Sequence, residues 1–274
     1  MAYRAPLFSY QHAFRDAYYD YGGDVSASHS INTDHPLHGL FDNRLASLCQ
    51  FAASQTDPYF QVDLGGGPET GFNRLIIPKD HDISELKVEQ ADDEAFTTNV
   101  ETLHASDSSI TIGTIYDSGE FDTAASTRRH IRVTMVGTFI YYLPELYLTK
   151  LVSLTVGPDH TKTVDMQKSN ATLIEQPTGL TMAVQHGSNQ RVIEYEFTYP
   201  LESADITAVE ALAAYVGTHR PFYLSPASFS ATPDADDPPL FVRFTEMPRL
   251  QYGPAANLGV EAKTATMTML ESLD

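Results

Sequence analysis

The sequence predicts a mainly β protein, a first β-rich domain followed by a second antiparallel β domain with one packed helix. Three observations predict it. Strict period-two alternation runs through Tyr59–Leu64, Arg129–Met135 and Ile193–Tyr199, whereas only one segment, Ile206–Val216, carries a convincing helical stripe. Glycine and proline punctuate the strands, as in Gly65-Gly66-Gly67, Pro144 and Gly157-Pro158. An apolar fraction of 42% in 274 residues supplies enough material for one large or two ordinary cores. Two domains are expected, at residues 26–150 and 151–274, preceded by an arm over residues 1–25.

The arm carries Phe8, Tyr10, Phe14, Tyr18, Tyr19 and Tyr21 before Gly22-Gly23. Such aromatic density predicts an ordered segment that packs on a domain or a neighbouring subunit, with a short helix at about 11–18. These six rings are the candidate assembly residues. Residues 26–58 are rich in Ser, Asn, Asp, His and Pro and read as loops, with Leu40, Phe41 and Leu45 reaching the core. His29, Asp34, His35, His38 and Asp42 superficially resemble a metal cluster. Their spacing lacks the paired-histidine helix motif, so loop solvation is the expected role and no metal is assigned.

In Tyr59–Leu64, Phe60, Val62 and Leu64 share one side and Tyr59, Gln61 and Asp63 the other, before the glycine turn and a second apolar run at Asn73–Ile77. Further strands are expected at Ile83–Glu89, Ile110–Ile115, Arg128–Val136 and Phe139–Leu143, with the acidic stretch between Ala91 and Ser108 facing solvent. Beyond residue 150 the expected strands are Leu151–Val156, Asn170–Ile174, Gly179–Val184, Arg191–Tyr199, Arg220–Leu224, Leu240–Phe244 and Ala262–Leu270. The helix spans about 205–216, with Asp205 as its cap and Gly217 as its stop. The acidic loop Thr232–Pro239 lacks the spacing of a calcium-binding hand and reads as solvated.

Charge and cysteine content narrow the function classes. Asp and Glu number 36 against 17 Lys and Arg, a formal charge of −19, which disfavours nucleic acid or an acidic membrane face as partner. Cys49 stands alone, so no intrachain disulfide or cysteine-rich zinc site is possible, and it is expected to be core packing. No run approaches the length of a membrane-spanning helix, and Met1–Pro6 lacks a secretory leader, so synthesis in a cytoplasm is expected.

Several motifs in order resemble a discoidin-like, galactose-binding-like jelly-roll sandwich: Leu40-Phe41-Asp42, Tyr59-Phe60-Gln61-Val62-Asp63-Leu64-Gly65, Asn73-Arg74-Leu75-Ile76-Ile77 and Arg129-His130-Ile131-Arg132-Val133. They cover about residues 26–145. Cys49 stands alone where secreted relatives carry a disulfide, and Phe51 replaces a tryptophan. The resemblance implies binding of glycans, membranes or proteins through loops at one end of the sandwich. Asp34, His35, Tyr59, His81, Arg128 and Arg132 are the ligand-binding candidates. Over residues 150–274, the order of strong strand, capped helix, Arg220-Pro221-Phe222-Tyr223-Leu224 and Phe241-Val242-Arg243-Phe244 resembles bacteriophage tail-tip and minor tail proteins. That resemblance implies a virion tail location, other tail proteins as partners and a homo-oligomer.

The leading expectation is therefore a nonenzymatic tail or baseplate component that presents a host-glycan-binding domain. A free carbohydrate-binding module and a glycan-active hydrolase are the alternatives. No cofactor is expected. The scattered acids supply no placed carboxylate pair, and Gly65-Gly66-Gly67 lacks the Lys-Ser/Thr of a phosphate loop.

Overall fold

Alternation at Tyr59–Asp63 becomes the second strand of a five-stranded antiparallel sheet in the computed structural model. The structure describes residues 6–9, 11–20, 22–65, 71–79, 81–121, 127–139, 142–155, 157–158, 163–164, 171–175, 181–185, 190–226, 239–252 and 263–272. The chain divides into two units, one of Ser9–Leu151 and one of Met1–Phe8 with Val152–Leu273.

In the first unit the sheet order is Asp24–Ala27, Tyr59–Asp63, His130–Met135, Leu86–Ala91 and Glu101–Asp107. Register pairs Val62 with Ile131 and Phe60 with Val133, so the apolar sets of neighbouring strands fall on one face. A three-stranded sheet, Tyr147–Thr149, Arg74–Ile77 and Tyr116–Asp117, supplies the second layer. Phe60, Val62, Val88, Ile131 and Val133 share one core with Leu75, Ile77 and Leu148. The result is the expected sandwich. Local boundaries differ from expectation: Asp24–Ala27, at the join of the expected arm and loops, pairs as an edge strand, while Ile110–Ile115 forms turns, with Ile112 57% exposed, and the strand lies instead at Glu101–Asp107, in the stretch that lacked periodicity. Local apolarity there lost to the pairing that Leu86–Ala91 offers.

The N-terminal arm is split between the units. A helix at Ala13–Tyr19 buries Ala13, Phe14 and Ala17 in the sandwich core. Phe14 is therefore a core residue with no surface to offer a partner. Phe8 belongs to the strand Leu7–Ser9, which pairs with Phe222–Ser225 in the second unit, and it is likewise buried. Tyr10 and Tyr21 lie outside the described residues.

The second unit is built on an eight-stranded sheet in the order Leu151–Ser153, Leu7–Ser9, Phe222–Ser225, Leu240–Phe244, Lys263–Glu271, Val192–Leu201 and Thr163–Val164, with Arg249–Tyr252 also paired to Lys263–Glu271. A separate hairpin pairs Ala171–Glu175 with Thr181–Gln185. The helix runs from Ser203 to Val216 and packs on Val192–Leu201, burying Ile206, Val209, Leu212, Ala213 and Val216. Asp205 does not cap it. Its carboxylate accepts instead from the Thr155 amide at 3.0 Å and the Thr155 hydroxyl at 2.6 Å, while Glu202 takes the cap position. The helix ends at Gly217, with φ +57°, a conformation glycine adopts without a Cβ clash.

Candidate functional site

Among the described residues of the first unit, the aromatic side chains that stand furthest into solvent are Tyr18, Tyr19 and Tyr142. Tyr18 and Tyr19, the last residues of the Ala13–Tyr19 helix, are 48% and 50% exposed. Their rings stand perpendicular, with centroids 5.1 Å apart. Buried Phe41 lies beneath them, 5.2 Å from Tyr18 and 6.3 Å from Tyr19. His38 braces the group: its ring is 5.2 Å from Phe41, and its Nε2 is hydrogen-bonded to the Tyr19 hydroxyl. From the same His35–Phe41 segment, His35 contacts the ring of Tyr142, itself 42% exposed, at 6.1 Å.

Two close backbone approaches hold this surface in place. A Cβ on Gly23 would stand 2.0 Å from the Asp63 carbonyl oxygen, so only glycine lets the chain leaving the helix fold back on the strand end. A Cβ on Gly39 would meet the Leu48 carbonyl at 2.9 Å, where the short helical turn Leu37–Leu40 presses on the following segment.

Buried titratable groups lie on the same segments. Glu145 is fully buried and makes no full hydrogen bond among the described residues. Burial pushes its carboxyl up to about 8, against the weaker opposing pull of the Tyr147 hydroxyl and the Asn43 and Arg44 amides. His12, 4.5 Å from the ring of Tyr147, is driven down to about 3 by burial and by the positive charge of Arg15. Both groups are neutral near pH 7. Cys49 is buried as expected, and its thiol is pushed up to about 12 by desolvation.

The ligand candidates from the sequence fall in separate places. Tyr59 and Arg132 do meet: the Arg132 guanidinium lies 3.9 Å from the Tyr59 ring centroid and 3.8 Å from that of Phe96. Its Nε and Nη2 donate to Gln61 Oε1 at 3.2 and 2.9 Å, and Gln61 Nε2 donates to the Glu94 carbonyl at 3.0 Å. This stack fastens the loop of residues 92–99 onto the outer face of the five-stranded sheet. Arg128 donates to Asp92 at 2.7 Å and adds to the same fastening. Arg129 grips Asp63 at 2.5 and 2.6 Å, and this contact holds the Asp63 carboxyl below its ordinary range.

His81 is 2% exposed, with Nε2 2.9 Å from the Thr114 carbonyl oxygen, so burial removes it from any ligand surface. Asp34 is exposed and His35 half-buried, with the His35 ring against Tyr142. Sequence reasoning named Tyr18 and Tyr19 as assembly candidates and did not bring them together with His38, nor single out the exposed Tyr142. The available signal was the tyrosine pair at the end of a short helix with a buried Ala13, Phe14 and Ala17 stripe.

Among the described residues no group of three or more His, Cys, Asp or Glu side chains is placed to hold a metal ion. His104, Tyr116 and Asp107 form a half-buried network, with the Tyr116 hydroxyl donating to Asp107 at 3.0 Å and lying 3.1 Å from His104 Nε2. It ties the end of the strand Glu101–Asp107 to the second layer of the sandwich.

No family model and no curated protein matches the chain. Among solved structures it is similar to chitosan-binding module 1 of a chitosanase/glucanase from Paenibacillus sp. IK-5, at 20% identity and a TM-score of 0.38 over 50% of this chain and 97% of that one. A module, CBM32-1, of a family 31 glycoside hydrolase from Clostridium perfringens aligns at 13% identity and a TM-score of 0.39, over 50% of this chain and 99% of the module. A GH29 fucosidase from Ruminococcus gnavus aligns at 19% identity and a TM-score of 0.39, over 48% of this chain and 26% of the enzyme. None of these three is a tail protein, and nothing in the fold bears on the virion location expected from the sequence. Likenesses at this level assign no ligand; the β-sandwich of Ser9–Leu151 stands on its own strand pairing and shared core.

Proposed function

We propose that the first unit is a carbohydrate-binding module and that the surface formed by Tyr18, Tyr19 and His38, extended by His35 and Tyr142, is its ligand face. One observation carries this reading: two adjacent, perpendicular tyrosines stand half in solvent, held from below by a buried phenylalanine and from the side by a histidine. A sugar ring presents apolar C–H groups on its faces and hydroxyls around its edge. Tyrosine rings take the first, and phenol and imidazole groups take the second. The framework is already fixed, so little ordering entropy is lost on binding.

Isothermal titration against oligosaccharides selected on a glycan array tests the reading. Tyr18→Ala/Tyr19→Ala is expected to weaken binding at least about tenfold, which corresponds to 1.4 kcal/mol. Absence of binding across a broad panel, or unchanged affinity in the double variant, would sink it. A place in a virion tail, with tail proteins and further copies of the chain as partners, is a proposal from the sequence resemblance of residues 150–274. Peptide mass spectrometry of stringently purified particles tests that part separately.

A further inference from the structure

The second unit contains a polar notch of about 130 Å³, lined by Glu196, Phe197, Gln251, Thr264, Ala265 and Thr266. Strand register explains it. The strand Lys263–Glu271 is paired on one side with Val192–Leu201 and on the other with Arg249–Tyr252. Glu196 stands directly opposite Thr266, and Gln251 directly opposite Thr264, so these four side chains share one face. Phe197 and Ala265, paired with each other, are buried and alternate to the opposite face.

The ladder breaks immediately beyond that pair. Regular pairing stops at Phe197 opposite Ala265 and resumes at Leu201 opposite Lys263, so four residues of one strand advance against two of its partner. Such a bulge ends the regular cross-strand row beside Thr264 and opens the notch.

The geometry points to a binding site for a small neutral polyhydroxylated ligand, one edge of a sugar ring with neighbouring hydroxyls. Glu196 accepts hydrogen bonds, the Gln251 carboxamide both donates and accepts, and the two threonine hydroxyls do either. A ligand that donates and accepts through adjacent groups matches this set. Glu196 is the one charged side chain in the lining, and Arg249, opposite Thr266 on the same face, has its own carboxylate partner in Glu246 at 2.7 Å. The notch is open to solvent on one side, and a volume of about 130 Å³ leaves room for several waters, or for the vicinal hydroxyls of one ring in their place. This site is independent of the tyrosine surface of the first unit.

The test uses the full-length chain carrying Tyr18→Ala/Tyr19→Ala, so that failure of the first-unit reading leaves it untouched. Glucose, galactose, mannose, N-acetylglucosamine and glycerol are titrated into the millimolar range while backbone amide resonances are followed. The expected result is a saturable shift, for at least one probe, centred on Glu196, Gln251 and residues 264–266. Glu196→Gln or Thr266→Val should weaken it about tenfold or more. Gln251→Ala, at an exposed position, provides a second variant should either of those fail to fold. No saturable shift with any probe, shifts centred elsewhere, or the same shifts with calcium chloride alone would overturn the assignment.

Discussion

Two clusters of aromatic and polar side chains lie outside the core of the same sandwich, and they serve opposite ends. Around Arg132, every group finds its partner within the chain: two rings flank the guanidinium, Gln61 takes its hydrogen bonds, and the loop of residues 92–99 closes over the sheet. Around Tyr18 and Tyr19, the chain braces the rings from beneath and leaves about half of each in water. The first is a lock and the second an open face. What separates them is whether a distant loop arrives to cover the cluster, since tyrosine and a polar neighbour occur in both. Phe96 adopts φ +54°, a left-handed conformation uncommon for a bulky side chain, so the lock carries local backbone strain that its contacts outweigh.

The strongest challenge to this contrast is Phe41→Ala. Removing a buried phenylalanine should cost about 3–5 kcal/mol and release both tyrosines, so urea unfolding should show a large loss while the glycan affinity falls with it. Arg132→Ala should cost about 2–3 kcal/mol, from two ring contacts and the hydrogen bonds to Gln61, yet leave glycan affinity within about twofold in protein that remains folded. Arg132→Lys should recover little of that stability, because ammonium lacks the planar stacking surface. Loss of glycan binding in Arg132→Ala would erase the distinction between lock and face.

A third test uses pH, because the buried acid and histidine lie on the segments of the open face and not in the lock. Glu145, raised from 4.5 to about 8, stabilises the fold fully below pH 4.5 and loses that contribution as pH rises toward 8. His12, lowered from 6.5 to about 3, acts oppositely: its contribution is full above pH 6.5 and is lost as pH falls toward 3. Stability should therefore peak between these limits. From pH 6.5 to 8 it should fall by at most about 1.4 kcal/mol per pH unit, as read from denaturant midpoints, and Glu145→Gln should flatten that limb. An unchanged slope in the variant would remove Glu145 as its origin.

The smallest effect on stability is expected for Tyr18→Ala/Tyr19→Ala, within about 1 kcal/mol. Melting temperature and glycan titration should separate cleanly there. A large drop in stability would mean that the tyrosines belong to the fold rather than to a ligand.

Much of the architecture was legible in the residues. Alternation at Tyr59–Asp63, His130–Met135 and Val192–Leu201 marked true strands, and the three- and four-residue spacing of Ile206, Val209, Leu212 and Val216 marked the one long helix. These signals are local, since a side chain's face follows from the backbone repeat alone. Asp205 looked like a helix cap because caps are recognised by neighbours in sequence; its actual partner, Thr155, lies fifty positions away.

The sites were much less legible, for the same reason. Sequence placed Tyr59, Gln61 and Asp63 together on the side of the strand away from Phe60 and Val62, and the structure keeps that division. It could not show that Gln61 would be only 4% exposed, because the residues that cover it come from the distant loop of residues 92–99. Nor could it show that Phe14 would fill the core while Tyr18, one helical turn later, would stand in water. Backbone periodicity by itself determined which face each side chain takes. Tertiary packing alone decided which of those faces a remote segment covers, and so which rings are left in solvent.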